Sequence, residues 1–255
     1  MTTSSLFRLD GRVALVTGAS DGIGRALAQA LVSVGAEVIV VARRQESLDE
    51  SVRLIRADGG VGHAIAWDLL DRSRLADLAS MATSLAGDVD ILVNCAGVNL
   101  REPVDEISEE SWDTTLNINL GIPFFLARQL VPAMRNKGWG RIINIASLQS
   151  VRAFPNSLPY GASKGGVMQM TRAMAETWSA DGITCNAIAP GFFPTHLTQP
   201  VFSDPARREW AAGQTTIGRN GEMQDLHGAA IFLAAPASNY ITGQTLFVDG
   251  GFTAK

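Results

Sequence analysis

A serine, a tyrosine and a lysine in the middle of the chain have the types and spacing of an acid–base centre. Ser147 ends an apolar run, and Tyr160 and Lys164 follow it thirteen and seventeen residues later. Residues four apart lie on one face of a helix, so the phenol and the ammonium can act together. A neighbouring positive charge is expected to lower the pKa of a tyrosine from its usual value of about 10. Such a phenol can exchange a proton with an alcohol or ketone oxygen near neutral pH, which predicts carbonyl reduction beside a hydride donor.

A glycine-rich turn near the start of the chain predicts where that donor binds. The apolar run Val13–Thr17 is typical of a buried parallel strand, and it leads directly into Gly18-Ala-Ser-Asp-Gly-Ile-Gly24. A helical pattern that ends at Gly35 and a second strand over Glu37–Ala42 complete a βαβ unit of about thirty residues. Glycines let the backbone approach a pyrophosphate, which then meets the free N–H groups of the helix. The turn therefore predicts a dinucleotide site.

Strand and helix patterns alternate along the chain, and this alternation predicts the sheet that positions both motifs. Apolar runs of strand length lie at Val13–Thr17, Val38–Ala42, His63–Trp67, Ile91–Asn94, Arg141–Ala146, Thr184–Ala189 and Thr245–Val248. The pattern predicts a single-domain Rossmann-type α/β fold, a doubly wound parallel sheet of about seven strands with helices on both faces. We expect one domain over 1–255, with a dinucleotide-binding half over about 9–100 and a catalytic and substrate half over about 101–255.

The composition indicates a compact enzyme without nucleic-acid or membrane features. The 255 residues are 46% hydrophobic, and the net charge of −4 includes no basic block, so neither nucleic acid nor a membrane is expected as a partner. The first residues lack the apolar stretch of a leader peptide. Cys95 and Cys185 fall in predicted strands, and the three histidines lack metal-ligand spacing. These observations predict a cytoplasmic, metal-independent protein.

Six motifs occur in the order typical of short-chain dehydrogenases/reductases, and the chain resembles that family from about Leu9 to Gly251. The motifs are Thr17–Gly24, Asn94–Gly97, Asn119, Ser147, Tyr160–Lys164 and Pro190–Gly191. Two departures occur. Cys95 replaces the second Asn of the usual Asn-Asn-Ala-Gly, and the usual Asn-Leu-x-Gly reads Asn-Leu-Gly-Ile from Asn119. Neither departure removes a group with assigned chemistry.

The resemblance implies a catalytic tetrad of Asn119, Ser147, Tyr160 and Lys164. Tyr160 would donate a proton in reduction and act as the base in oxidation, while Lys164 would lower its pKa and bind the nicotinamide ribose. Ser147 would donate a hydrogen bond to the substrate oxygen. Asn119 would hold a water that connects Lys164 to solvent. Asn117 is the competing candidate, and Asn119 is preferred because it lies seven residues after Trp112, as in relatives.

The resemblance also implies the cofactor contacts. They are Gly18, Ser20, Asp21, Gly22, Ile23 and Gly24 in the turn; Arg43, Asp68 and Leu69 after the second and third strands; Asn94, Ala96 and Gly97 after the fourth; Tyr160 and Lys164; and Pro190, Gly191, Phe193 and Thr195 after the sixth. Asp68 would bind the adenine amino group. Residues 190–195 would orient the carboxamide and so select the hydride face.

The end of the second strand predicts NADP, with NAD as the other possibility. Ala42 stands where NAD-preferring relatives carry Asp, and Arg43 can accommodate a 2′-phosphate. Asp21 argues against NADP, because NADP-preferring relatives often have Arg or Lys there and a carboxylate near the 2′-phosphate would repel it. Asp21 could instead stabilise the helix N-terminus by a charge–dipole interaction.

A sugar acid or polyol is the expected substrate. Arg101, Ser147–Ser150 and Gly218-Arg219 resemble the corresponding segments of sugar-acid dehydrogenases such as gluconate 5-dehydrogenase and 2-deoxygluconate 3-dehydrogenase. Either Arg101 or Arg152 could anchor a carboxylate. A proline-containing irregular loop over about 191–219 would cover the substrate. The candidate substrate contacts are Arg101, Ser147, Gln149, Arg152, Tyr160 and His196.

Two other functions use the same scaffold. A 3-oxoacyl thioester (acyl-carrier-protein) reductase shares the tetrad, and fold similarity does not separate it from a sugar-acid dehydrogenase. A non-catalytic dinucleotide sensor is disfavoured, because such proteins typically lose the tyrosine or the lysine. The resemblance further implies a homotetramer, built through the helices after Trp112 and Tyr160 and through the segment Gly243–Gly251.

Overall fold

Seven strands form one parallel sheet in the computed structural model, which describes residues 2–255. The strands are β1 (Val13–Thr17), β2 (Glu37–Ala42), β3 (Gly62–Ala66), β4 (Ile91–Asn94), β5 (Gly140–Ile145), β6 (Ile183–Pro190) and β7 (Thr245–Val248). Their order across the sheet is β3-β2-β1-β4-β5-β6-β7, so the direction of winding reverses between β1 and β4. Doubly wound sheets bind ligands beyond the strand ends at such a reversal.

Helices cover both faces of this sheet. They are α1 (Gly22–Ser33), α2 (Gln45–Ala57), α3 (Leu75–Ala86), α4 (Glu109–Leu116), α5 (Ile122–Lys137), α6 (Leu158–Trp178), α7 (Gln199–Phe202), α8 (Pro205–Gln214) and α9 (His227–Ala234). Alternate strand residues point to opposite faces. Val16 therefore packs in a core with Leu27 of α1 and Leu233 of α9, while Leu15 packs in a second core with Leu78 of α3 and Leu126 of α5.

The predicted fold class is confirmed, and each predicted strand ends within one residue of the observed one. The segment 191–219 differs from the prediction, because it contains α7 and α8 rather than an irregular loop. Pro200 and Pro205 lie in the first turns of α7 and α8 instead of interrupting them, since a proline there has no hydrogen-bonded N–H to lose. Asp204 caps α8 by accepting hydrogen bonds from the backbone N–H groups of Ala206 (2.9 Å) and Arg207 (3.3 Å).

Both cysteines are free thiols, Cys185 in the interior and Cys95 half-buried at the end of β4. None of the helices in residues 2–255 combines the length and the apolar character that crossing a membrane requires. Over the same residues, no three His, Cys, Asp or Glu side chains come together in a way that would hold a metal ion.

Candidate active site

The glycine turn connects β1 to α1 beneath the end of β4. Gly18 and Gly22 have φ angles of +67° and +51°, a backbone conformation that side-chain-bearing residues rarely adopt. A Cβ on Gly18 would lie 2.8 Å from the backbone of Ala96, and one on Gly24 would collide with the Gly18 carbonyl. Thr17 joins the two segments, because its hydroxyl oxygen accepts hydrogen bonds from the N–H groups of Cys95 (3.1 Å) and Ala96. The turn is therefore fixed by close backbone packing.

The carbonyl groups of the turn are held from the side of α2. Ser51 donates a hydrogen bond to the carbonyl of Ala19 (2.8 Å), and the Arg25 guanidinium donates to the carbonyl of Ser20. Arg25 also donates to the Ser51 hydroxyl (2.9 Å), which links the two anchors. Sequence reasoning missed Arg25 and Ser51, because neither belongs to a motif and they lie far apart in the chain.

The N-terminus of α1 is suited to bind a phosphate. Asp21 is its N-cap residue, but within the described chain its side chain accepts no hydrogen bond from the first turn of the helix. The Asp21 carboxylate instead pairs with Arg44, 3.3 Å away. The first N–H groups of a helix have no partner inside it, and the dipole there favours negative charge. Together with the glycine turn, this helix end fits a dinucleotide pyrophosphate.

The adenosine side of the predicted site lies at the ends of β2 and β3. Arg43 and Arg44 are exposed directly after β2, and Asp68 is exposed after β3. Asp68 accepts a hydrogen bond from the N–H of Leu70 (3.1 Å), while Leu69 is buried. Two guanidinium groups at this strand end fit a 2′-phosphate, as expected for NADP.

Residues 94–97 contribute to the cleft by backbone more than by side chain. The Asn94 amide is buried and donates to the Asn144 side-chain oxygen (2.9 Å) and to the Pro123 carbonyl (3.3 Å). Its side chain therefore points into the protein. Ala96 and Gly97 are half-buried at the strand end, where their backbone can reach the cleft.

Ser147, Tyr160 and Lys164 come together as expected, and we call them the catalytic cluster. Ser147 follows β5 and its hydroxyl oxygen accepts a hydrogen bond from the N–H of Gln149 (3.1 Å). Lys164 is only 4% exposed, and its ammonium donates to the carbonyl of Ile145 at 2.5 Å. The Lys164 nitrogen lies 5.7 Å from the centre of the Tyr160 ring. The end of β5 and the first two turns of α6 thus assemble the cluster.

The electrostatics of the cluster differ from the sequence-based expectation. Burial raises the pKa of Tyr160, while the Ser147 hydroxyl and the Arg101 guanidinium act to lower it. Burial also lowers the pKa of Lys164 to about 8. The expectation that Lys164 lowers the Tyr160 pKa is therefore wrong, because desolvation of the phenol outweighs the nearby charges. Tyr160 carries its proton at neutral pH, as an acid for ketone reduction requires.

A line of buried polar side chains holds α6 against the sheet. Asn144 of β5 accepts a hydrogen bond from Asn94 and donates one to the Thr171 hydroxyl (3.0 Å). Ser150 donates to the backbone carbonyl of Lys164 (2.7 Å) and so ties the end of β5 to the same helix. Sequence reasoning missed these contacts, although a polar Asn144 inside an apolar strand is a signal that could have indicated one.

Asn119 lies in a π-helical turn, Asn117–Gly121, between α4 and α5. Its side chain is 1% exposed; the oxygen accepts from the N–H of Val98 (2.9 Å) and the nitrogen donates to the Val98 carbonyl and the Ser163 hydroxyl. Asn117 instead donates to the carbonyl of Leu70 (3.0 Å). Because Asn119 faces α6 and Asn117 faces away, the geometry favours Asn119 of the two. Single π-turns inside helices frequently mark functional sites.

Arg101 and Gln149 are the candidate substrate residues that lie nearest the catalytic cluster. Arg101 has φ +58°, and it donates to the carbonyl of Leu197 at 3.0 Å, while its charge acts on Tyr160. The side-chain oxygen of Gln149 is buried and has no hydrogen-bond partner within residues 2–255. Arg152 reaches away to the carbonyl of Lys255 (3.5 Å), and His196 is exposed.

The segment after β6 closes over the glycine turn. A Cβ on Gly191 would lie 2.8 Å from the Cα of Asp249, so glycine is required where Pro190 leads out of the strand. Phe193 is buried, and the Thr195 methyl lies 3.3 Å from the place where Gly22 would carry a Cβ. The turn and this segment therefore meet at the carboxyl edge of the sheet, where the catalytic cluster also lies.

A half-buried tyrosine and a buried lysine beside a dinucleotide-binding turn define an NAD(P)-dependent oxidoreductase that acts on CH–OH groups. A family model described as enoyl-(acyl carrier protein) reductase matches residues 18–253. The gluconate 5-dehydrogenase of Gluconobacter oxydans (strain 621H) is 39% identical over the full length of both chains. The chain belongs to the short-chain dehydrogenase/reductase family.

Two further relatives are also dehydrogenases of gluconate-type acids. The 2-dehydro-3-deoxy-D-gluconate 5-dehydrogenase of Bacillus subtilis (strain 168) is 38% identical, over 98% of this chain and 97% of its own. A gluconate 5-dehydrogenase from Burkholderia cenocepacia J2315, solved in complex with NADP and tartrate, superimposes with a TM-score of 0.94. It is 38% identical, and all of both chains is covered.

Proposed function

We propose that this protein transfers a hydride between NADP(H) and a secondary alcohol or ketone of a sugar acid, as a gluconate 5-dehydrogenase does. The observation that carries the proposal is Arg101 of the β4–α4 loop, whose guanidinium donates to the Leu197 carbonyl (3.0 Å) and whose charge acts to lower the pKa of Tyr160. A guanidinium near the reacting carbon suits a substrate that carries a carboxylate. The relatives at 38–39% identity act on gluconate-type acids, and the B. cenocepacia structure holds tartrate, itself a hydroxy acid.

The residues at the end of β2 favour NADP as the cofactor. Ala42 ends β2 where an NAD-preferring relative would carry Asp, and Arg43 and Arg44 follow it as exposed residues. The B. cenocepacia relative was solved with NADP. NAD remains the second cofactor to compare in every assay, because Asp21 lies beside the same strand end.

The chain's own residues supply the proton chemistry. In reduction, Tyr160 donates its proton to the ketone oxygen, and Ser147 donates a hydrogen bond to the same oxygen as charge develops. Bound NADPH supplies the hydride. The Lys164 ammonium and the Arg101 guanidinium stabilise the tyrosinate that forms, and Tyr160 regains a proton from solvent along a path that Lys164 and Asn119 border. In oxidation each proton moves in the opposite direction.

Substrate recognition is assigned to Arg101 and Gln149. Arg101 binds the carboxylate with its guanidinium and remains joined to the substrate segment through Leu197. The unpartnered oxygen of Gln149 accepts a hydrogen bond from a substrate hydroxyl. Arg152 is the less favoured anchor, because it contacts the C-terminal residue.

The test is the initial rate of NADPH oxidation with 5-ketogluconate against an acetoacetyl thioester. The proposal predicts a clear preference for the keto acid. A preference for the thioester would make the protein a 3-oxoacyl reductase and remove the carboxylate role from Arg101. Tight NADPH binding without turnover of either compound would contradict the sugar-acid assignment and leave the family unchanged.

We further propose that the protein is a cytoplasmic homotetramer. Leu246 is 40% exposed on the edge strand β7, and Tyr240 in the segment before that strand is fully exposed, so both offer apolar surface to a second copy. The free thiols Cys95 and Cys185 are typical of a reducing compartment. Light scattering after size-exclusion chromatography should give four times the chain mass, and a monomer would contradict the proposal.

A further inference from the structure

Four aromatic rings pack together beside the segment that follows β6. They belong to Phe154, Phe192, Trp210 and Phe252, and we call them the aromatic cluster. Phe252 is 4% exposed, and its ring centroid lies 6.2 Å from that of Phe154, 5.8 Å from that of Phe192 and 6.4 Å from that of Trp210. Aromatic pairs at such distances attract each other beyond the effect of the area that they bury. Phe252 therefore links three separate parts of the chain, which are the loop between β5 and α6, the segment directly after β6, and α8.

Hydrogen bonds fix the turn that carries Phe252. The buried Asp249 carboxylate accepts from the N–H (3.0 Å) and from the hydroxyl (2.7 Å) of Thr253. The Gly250 carbonyl accepts from the N–H of Thr216 (2.8 Å), which lies just after α8. Asp249 thus holds the turn that presents the Phe252 ring, and Gly250 joins this turn to the end of α8.

The position of α8 depends on the aromatic cluster, because little else of this helix is buried. The structure describes every residue of α7 and α8, and among them Ala211 alone is buried. Its neighbour Trp210 is 48% exposed, and the Trp210 ring packs beside those of Phe192 and Phe252. A segment with few buried apolar contacts opens at a smaller free energy than the whole protein. The contact between Phe252 and Trp210 is therefore a large part of what keeps α8 in place.

We propose that Phe252 is a positioning residue, which holds α8 and with it residues 191–219, the substrate segment, closed over the catalytic cluster. The inference rests on the proposed function in taking this segment as the cover of the substrate. Phe154, which also packs beside Phe252, lies in the loop between Ser147 and Tyr160. Phe252 therefore joins the substrate segment to the loop that connects two members of the catalytic cluster.

Loss of the Phe252 ring raises the fraction of molecules in which the substrate segment is open. The apparent affinity for substrate falls in proportion to the closed fraction. Opening also separates Arg101 from the Leu197 carbonyl, to which it donates at 3.0 Å, and so releases the proposed carboxylate anchor from the segment. Saturating substrate restores the closed state, so KM rises while kcat is maintained.

Limited trypsin digestion of the native protein measures the opening directly, because Arg207 and Arg208 are exposed cleavage sites within α8. Native-state cleavage follows the population of the open form. Phe252→Leu keeps an apolar side chain but removes the ring, and it should accelerate cleavage after these two arginines about fivefold to twentyfold. KM for 5-ketogluconate should rise about threefold to tenfold, with kcat within about twofold of the parent value.

Asp249→Asn weakens the turn without changing the aromatic cluster. It removes one accepting oxygen of the carboxylate and should change both measurements in the same direction, by about twofold to fivefold. Phe232→Leu is the matched control, since it removes a ring of α9 that packs against the core containing Leu27, and it should change neither measurement. Cleavage after the exposed Arg53 and Arg56 of α2 is the internal reference in each digest and should keep the parent rate.

Unchanged cleavage of α8 in both Phe252→Leu and Asp249→Asn would overturn the proposal. An equal acceleration in Phe232→Leu, or at the α2 sites, would also overturn it, because the whole protein rather than α8 would then be opening. Faster cleavage of α8 with an unchanged KM would refute the closure of this segment over the catalytic cluster. If the parent did not reduce 5-ketogluconate, the substrate assignment would fail, and the digestion would still decide whether Phe252 holds α8.

Discussion

The catalytic cluster and the residues that face the substrate are built in opposite ways. Ser147 and Lys164 are buried, and the buried polar line through Asn144 fixes the helix that carries Lys164. The residues Arg101, Gln149, Arg152 and His196, which we call the substrate rim, lie on loops and short turns, and a single hydrogen bond joins Arg101 to the substrate segment. The reaction type therefore depends on the interior geometry of the fold, whereas the choice of substrate depends on a few loop residues that can change without disturbing it.

Tyr160→Phe tests the interior side of this comparison and has the largest expected effect. Removing the proton donor should lower kcat with 5-ketogluconate about a thousandfold, within the range typical of general acid catalysis. NADPH binding, measured by fluorescence, should persist because the ring remains. Tyr240 is the chain's other tyrosine and is fully exposed, so Tyr240→Phe is the control and should keep full activity. Turnover of Tyr160→Phe at the parent rate would exclude Tyr160 as the acid.

Arg101→Gln tests the substrate rim. Losing a charged hydrogen-bonding partner of the carboxylate should raise KM for 5-ketogluconate about 10–100-fold and leave the affinity for NADPH unchanged. Arg152→Gln removes the same charge from the loop after β5 and should have little effect. If Arg152→Gln raised KM and Arg101→Gln did not, Arg152 rather than Arg101 would be the residue that binds the substrate carboxylate.

Lys164→Met tests how much the buried Lys164 ammonium destabilises the folded protein. Burial lowers the Lys164 pKa from its ordinary value to about 8, so the unfolded chain holds this proton more tightly than the folded chain does. The buried charge of Lys164 therefore destabilises the folded state by its full amount below pH 8. The variant should therefore be more stable than the parent by about 1–2 kcal/mol at pH 7. The difference should shrink between pH 8 and 10.5, as the folded parent loses the buried charge.

Urea unfolding of parent and variant at pH 7 and pH 9.5 checks this expectation. The thiols of Cys95 and Cys185, whose pKa values desolvation raises to about 12, destabilise both proteins at high pH, and this effect cancels in the difference. The exposed Lys255→Met is the control. A variant that is less stable than the parent at pH 7 would show that the Ile145 hydrogen bond outweighs the burial of charge.

The same contrast explains how much the sequence predicts. The seven strands, the glycine turn and the grouping of Ser147 with Tyr160 and Lys164 follow from local periodicity and short spacings. The Asp21–Arg44 pair, the Arg101–Leu197 contact and the Ser51–Ala19 anchor join residues 23, 96 and 32 positions apart, so no local pattern indicates them. The expected lowering of the Tyr160 pKa is also wrong, because desolvation, which raises this pKa, depends on the packing of the whole site.

Gln149→Met has the smallest expected effect, and it distinguishes a substrate contact from a structural one. The Gln149 oxygen is buried beside the catalytic cluster without a partner in residues 2–255, a situation that usually costs stability. An apolar side chain of similar length should therefore raise the free energy of unfolding by about 1 kcal/mol. Loss of one neutral hydrogen bond to a substrate hydroxyl should raise KM for 5-ketogluconate about 2–10-fold.

The two changes in Gln149→Met must occur together for the assignment to hold. Gln224→Met, at an exposed position before α9, is the matched control and should change neither KM nor stability. A gain in stability with an unchanged KM would show that the Gln149 oxygen does not meet the substrate. A loss of stability would show that Gln149 supports the turn after Ser147. Only the combination of weaker substrate binding and a more stable protein places Gln149 in the substrate rim, where function is maintained at the expense of an unsatisfied polar atom.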